Sequence, residues 1–117
     1  MCFASLSGDK SAIHVDEKAA KLLGFRGKVA HGLLICSWIS ALVGNELPGD
    51  FGIMQNIKFD FRAPLIPPDT IKIHGRIDRI SKGVGQLLIV IKVSSCITDK
   101  LLATGEVRSI VRIKPIL

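Results

Sequence analysis

The run VAHGLLICSWISALVG, from Val29 to Gly44, decides the fold of this chain. A His-Gly pair opens the run, and the residues that follow are almost all apolar. We predict a helix from His31–Gly32 to about Asn45, where the sequence LPGD ends it. Because such a helix is apolar on nearly every face, it must be covered on nearly every side. A curved sheet wrapped around a single helix would meet that requirement.

The second half of the chain supplies this sheet. The stretch IMQNIKFDFRA alternates apolar and polar residues with the period of a β-strand, and its apolar side consists of Ile53, Ile57, Phe59 and Phe61. Three more strands are predicted in TIKIHGRIDRI, with a bulge near Gly75, in QLLIVIKVSSCI and in LLATGEVRSIVRI. The prolines of LIPPD and the turns SKGVG and TDK separate the strands. Antiparallel strands on one helix predict an α+β fold, and we expect a single domain over residues 1–117.

A shorter helix is predicted before the apolar one, in VDEKAAKLLGF. Asp16 can cap its first turn, and Gly24 can end it. The following FRGKVA sequence is predicted to be a loop that leads into the apolar helix.

Charge and cysteine usage limit the function classes. The formal net charge is +6 with the basic residues scattered, which fits either an anionic partner or a solvated basic surface. Aromatic residues do not interleave with the basic ones, which argues against nucleic-acid binding. No apolar run is long enough to span a membrane, and MCFASLSGDK does not resemble a signal peptide. The 3 cysteines form neither a disulfide framework nor a metal-binding pair, which predicts a reducing, cytoplasmic compartment.

Chemistry-bearing residues concentrate near the start of the chain. The stretch SGDKSAIHVDEKAA contains Asp9 and His14, and His31 follows at the start of the apolar helix. Taken alone, Asp9 after a glycine fits a turn, and each histidine fits a structural role. A metal site built from His14, His31 and His74 lacks any ligand spacing, so we predict no metal.

The chain resembles the MaoC-like, (R)-specific enoyl-CoA hydratase family of the hot-dog fold. The resemblance lies in GDKSAIHVDEKAAKLLGFRGKVAHGLL, ALVGNELPG and IKFDFRAPLIPPD, which follow the family's order of Gly-Asp-x-Asn-Pro-x-His-x-Asp, His-Gly, Leu-Pro-Gly and a strand that ends before a proline. It implies a long helix wrapped by an antiparallel sheet, and an acyl thioester in a tunnel near a dimer interface. The chain departs from the family at Ser11 and Ala12, which replace Asn-Pro. It also begins close to the motif, so we expect a sheet that lacks one strand or a shortened start.

The resemblance implies roles for single residues. Asp9 and His14 match the catalytic pair, and Gly32 matches the glycine whose backbone N–H binds the thioester carbonyl. Ser40 matches a serine near the catalytic aspartate, and His31 is expected to hold the loop at the substrate-binding end. We expect burial in an apolar tunnel to raise the pKa of the catalytic carboxylate toward working pH.

The implied activity is that of a hydro-lyase without a cofactor, which hydrates trans-2-enoyl thioesters or dehydrates (R)-3-hydroxyacyl thioesters. Its partners would be an acyl-CoA or acyl carrier protein thioester and a second copy in a homodimer. Both carriers bring phosphate, which makes Arg26 and Lys28 candidates for phosphate or carrier contact. The alternative is a hot-dog domain that binds an acyl thioester without turning it over, or a subunit of a larger assembly. A thioesterase is less favoured, because the apolar helix carries no carboxylate before Glu46.

Overall fold

The computed structural model describes residues 2–111 as short helices, one long helix and a four-stranded antiparallel sheet. The helices are α1 (Cys2–Ser7), α2 (Ala12–Val15), α3 (Glu17–Leu22) and α4 (Gly32–Asn45). The strands are β1 (Gly52–Phe61), β2 (Ile71–Ser81), β3 (Gln86–Ser95) and β4 (Leu101–Val111). The predicted α+β class is confirmed. The end of the predicted last strand lies outside the described residues, and the single-domain extent stays a prediction.

The sheet order is β1-β4-β3-β2, so the first two strands lie at opposite edges. Tight turns join β2 to β3 and β3 to β4, whereas the proline-containing segment after β1 crosses to the far edge. Prolines cannot continue a ladder of backbone hydrogen bonds, which explains why the chain leaves the sheet there.

The helix boundaries follow from local chemistry. Asp16 caps α3, because its Oδ1 accepts the backbone N–H groups of Lys18 at 3.0 Å and Ala19 at 3.3 Å. Gly24 follows the helix with a φ of +94°, a conformation that glycine adopts without strain. The long helix α4 spans the predicted residues. None of the helices within residues 2–111 is long and apolar enough to cross a membrane.

The core lies between α4 and one face of the sheet. Ile35, Ile39 and Val43, spaced one helical turn apart, are buried against the inward residues of β3, such as Ile89 and Ile91. The opposite side of α4 is open, with Leu33 70% and Trp38 39% exposed. The expectation that this helix is covered on nearly every side is therefore not met within a single chain.

Two irregularities differ from the strand prediction. A register shift between Met54 and Asn56 turns Ile53 to the outer face, opposite Ile110, so Ile53 does not share a side with Ile57. The bulge predicted near Gly75 lies instead between Ile77 and Arg79. Gly75 pairs regularly, and a Cβ there would lie 2.9 Å from Leu47 Cδ2. This glycine makes room for the segment after α4.

Candidate active site

Asp9, His14 and His31 come together at the start of α4. His14 lies on α2, and its Nδ1 is 2.7 Å from the carbonyl oxygen of Val29. Because a carbonyl only accepts, Nδ1 carries the proton, and Nε2 of the neutral ring is left as an acceptor. That Nε2 lies 3.9 Å from Oδ2 of Asp9. This distance is too long for a direct hydrogen bond and leaves both atoms available to one water molecule.

His31 contacts both Asp9 and His14 and fixes their positions. It precedes α4 and is 7% exposed, and its Nε2 donates to the backbone carbonyl of Asp9 at 2.8 Å. Its ring stacks on that of His14, with the centroids 4.0 Å apart and the planes 20° from parallel. The ring of Phe3 meets its edge at a centroid distance of 5.0 Å. His31 is thus fixed on several sides and contacts both Asp9 and His14.

Asp9 lies at the surface, with 47% of its side chain exposed. Its Oδ1 accepts hydrogen bonds from the hydroxyl of Ser11 at 2.5 Å and from the backbone N–H of Ser11 at 3.1 Å. These bonds, the hydroxyl first, lower the pKa of Asp9 below its ordinary value. The expected rise is therefore wrong, because the carboxylate is hydrogen bonded rather than buried. Ser11, one of the two departures from the family motif, is the residue that holds this carboxylate.

Gly32 borders a cavity of about 350 Å³ that His14 also lines. The other walls are mostly apolar and include Val29, Ile35, Phe61 and Leu65. Gly32 is the first residue of α4, so its N–H has no partner within the helix. A Cβ at this position would lie 2.9 Å from Cζ of Phe61. Only glycine fits beneath that ring without a shift.

Within residues 2–111, the other three predicted residues form no hydrogen bond or ion pair with Asp9 or His14. Ser40 is exposed on α4, and the hydrogen bonds found among residues 2–111 include none between Ser40 and Asp9. Lys28 lines a second cavity of about 410 Å³ together with His14, His31 and the N-terminal helix α1. Arg26 lines a third cavity, of about 290 Å³, together with Lys100. The structure thus places the two candidate cations at different cavities.

Asp9, His14 and His31 also offer ligand-type atoms within 4.8 Å of one another. His74 lies elsewhere, exposed on β2. Both site histidines already donate to backbone carbonyls, which accounts for their orientation by hydrogen bonding. That no metal is used here stays a prediction.

Sequence reasoning missed two contributors to the site. The role of Ser11 had a sequence signal, because an aspartate side chain often accepts the backbone N–H two residues on, as Asp9 does from Ser11. No sequence signal predicted the contact of Phe61 with Gly32, because this contact depends on how β1 lies beside α4.

Residues 1–95 match the family model of the MaoC like domain, and the chain belongs to this family. Over 69 residues it is 41% identical to the (R)-specific enoyl-CoA hydratase of Rhodospirillum rubrum, covering 59% of this chain and 48% of that protein. Over 71 residues it is 35% identical to the 3-hydroxybutyryl-CoA dehydratase of Methylorubrum extorquens, and this match covers 61% of this chain and 45% of that protein. The matches thus span about half the length of these curated relatives.

The hot-dog fold is confirmed by comparison with solved structures. The (R)-hydratase from A. caviae involved in PHA biosynthesis superposes with a TM-score of 0.88, over 95% of this chain and 83% of that one. The two sequences are 24% identical, so this likeness concerns the fold.

Proposed function

We propose that this domain catalyses (R)-specific hydration of trans-2-enoyl thioesters, or the reverse dehydration of (R)-3-hydroxyacyl thioesters. The observation that carries the proposal is the Asp9 carboxylate 3.9 Å from the acceptor nitrogen of His14, beside an apolar cavity. Membership of the MaoC-like family and the names of the curated relatives support it.

Hydration adds the oxygen of water to Cβ of the enoyl group and one proton to Cα. The carboxylate of Asp9 accepts hydrogen bonds, because its lowered pKa keeps it ionised at neutral pH. In the neutral ring of His14, Nε2 is also an acceptor, because Nδ1 carries the ring proton. One water molecule can therefore donate to both groups. Its oxygen attacks Cβ as a proton passes to the pair, and the pair delivers one proton to Cα. The pair then returns to its starting protonation state.

Negative charge builds on the thioester carbonyl oxygen during this addition. The N–H of Gly32 lies at the positive end of the α4 dipole and borders the same cavity as His14. We propose that this N–H stabilises the enolate oxygen, a role typically worth about 3 kcal/mol of barrier. The apolar walls would accept the acyl chain.

We further propose that the domain functions as a homodimer. Leu33 and Trp38 on α4 are exposed, and so are Ile57 and Phe61 on the edge strand β1. One side of α4 is therefore open to solvent in a single chain. A second copy would cover these apolar groups. We expect light scattering to give the mass of a dimer for the wild-type protein and the mass of a monomer for Ile57→Asp. A wild-type protein that is monomeric at micromolar concentration would refute the dimer.

The reaction is tested with purified protein and crotonyl-CoA, by following the loss of absorbance of the conjugated thioester. We expect turnover that falls at least about 100-fold in kcat for His14→Ala and for Asp9→Asn. His74→Ala, at an exposed histidine on β2, is the control and should behave as wild type.

Two other outcomes would change the assignment. Wild-type turnover in either site variant would refute the roles of Asp9 and His14. A folded wild-type protein that binds the thioester without hydrating it would favour the non-catalytic binding domain or subunit. Ser40→Ala belongs in the same series, because its predicted support of Asp9 is a proposal that a fall in kcat would strengthen.

A further inference from the structure

We propose that Arg26 and Lys100 form an anion subsite that binds the phosphate groups of a coenzyme A thioester. This inference rests on the proposed function, because it assumes that the thioester occupies the cavity beside His14. It assigns the carrier as coenzyme A and names residues that recognise it.

The two cations lie at a cavity that adjoins the catalytic one. Arg26 and Lys100 both line the cavity of about 290 Å³, and Pro64 lines this cavity as well as the catalytic one. Phe25, next to Arg26 in the chain, lines the catalytic cavity. In coenzyme A the pantetheine arm separates the thioester from the phosphates, so the phosphates must bind in a neighbouring cavity. The cavity with Arg26 and Lys100 meets that requirement.

The charges around this cavity favour an anion. Among residues 2–111, neither Arg26 nor Lys100 forms an ion pair with a carboxylate. The cavity also contains the carboxylate of Asp69, which accepts the hydroxyl of Ser95 at 2.8 and 3.0 Å and the N–H of Thr70 at 2.7 Å. These bonds engage Asp69 with the protein, whereas both cations remain available. A guanidinium beside an ammonium suits a phosphate, because the former binds two oxygens and the latter acts as a point charge.

The cavity of about 410 Å³ that Lys28 lines is a weaker candidate for the phosphate site. Lys28 is its single Lys or Arg, and its walls include both site histidines, His14 and His31, besides apolar side chains such as those of Phe3 and Leu34. A phosphate there would meet one lysine, and it would lie against His14 and His31, in the space beside the reacting groups that the thioester itself needs. We therefore assign the phosphates to the side of Arg26 rather than to that of Lys28.

The test measures binding of free coenzyme A by calorimetry, which does not require turnover. We expect the double variant Arg26→Ala/Lys100→Ala to raise Kd at least about tenfold, the effect of losing two charge-assisted contacts. Lys82→Ala, in the exposed turn between β2 and β3, removes one positive charge elsewhere on the surface; it is the control and should keep the wild-type Kd. The kcat/KM for crotonyl-N-acetylcysteamine, a thioester without phosphates, should be the same in the double variant and in wild type.

The possible results separate this inference from the proposed reaction. Binding of coenzyme A that depends on Arg26 and Lys100, together with no hydration of either thioester, would keep the subsite and refute the reaction. Unchanged binding in the double variant would overturn the subsite. Binding weakened by Lys28→Ala instead, or no binding to wild type, would overturn it as well.

Discussion

The imidazole rings of His14 and His31 stack on each other with their centroids 4.0 Å apart. His14 lies on α2 and His31 precedes α4, so this contact joins two elements of the site. His31 also donates to the backbone carbonyl of Asp9 at 2.8 Å. A single buried side chain therefore positions both members of the proposed catalytic pair.

Substitution of His31 should lower kcat more than it changes KM. His31→Phe keeps a ring for stacking and removes the donor to Asp9, and we expect kcat to fall about 10- to 100-fold, as a small misplacement of catalytic groups does. His31→Gln keeps an amide donor and should recover part of the loss. Steady-state kinetics on folded variants, checked by circular dichroism, measures both effects. Equal losses in the two variants would argue against the hydrogen bond to Asp9.

Removal of the Ser11 hydroxyl should shift the pH profile of the reaction. This hydroxyl favours the ionised form of Asp9 and lowers its pKa, so Ser11→Ala should raise the pKa. The acidic limb of kcat/KM against pH should then move to higher pH, while the rate on the alkaline side stays. Ser37→Ala, whose hydroxyl bonds to the Leu34 carbonyl on α4, is the control. If the acidic limb lies at the same pH in Ser11→Ala and in Ser37→Ala, the limb does not report the ionisation of Asp9.

Proline should be accepted at Ala12, where the family motif has it. Ala12 is the first residue of α2, a position that favours proline, and Ser11 before it has the extended ψ of 142° that a following proline requires. We expect Ala12→Pro to stabilise the protein by about 0.5–1 kcal/mol, chiefly by restricting the unfolded chain. Ala30→Pro, which removes the N–H donor to the Leu65 carbonyl, should destabilise it. Urea denaturation measures both; destabilisation by Ala12→Pro would contradict the geometry of the loop.

Gly32 should not tolerate a side chain. An alanine Cβ would lie 2.9 Å from Phe61, and overpacking of this kind typically costs about 1–3 kcal/mol. Gly44→Ala on the same helix is the control, because a Cβ there meets nothing within 4 Å and alanine favours a helix by about 1 kcal/mol. Thermal unfolding of the two variants should shift in opposite directions.

The pair Gly32→Ala and Phe61→Ala separates packing from catalysis. The double variant should recover the stability lost through the clash. Its kcat should stay low if the carbonyl must approach the N–H of Gly32 closely. Full recovery of kcat in the double variant would assign Gly32 to packing alone.

Local patterns in the sequence were sufficient to predict most elements. The limits of α4, the Asp16 cap and the four strands depend on neighbours within a few residues, where helical and strand periods are visible. The resemblance to the family also proposed Asp9, His14 and Gly32 as site residues; His14 lies 3.9 Å from Asp9 and lines the same cavity as Gly32. These features could be predicted because each is encoded in one short segment.

Contacts between residues far apart in sequence determine the remaining features of the fold and of the site. The outward position of Ile53 depends on pairing between β1 and β4, and the stacking of His14 on His31 depends on how α2 meets α4. Asp9 is hydrogen bonded at the surface, contrary to the expected burial, because its exposure is a property of the assembled fold. Arg26 and Lys28 are two positions apart in the chain and line different cavities. Strand register and the packing of loops join residues far apart in sequence, so short-range periodicity carries no information about them.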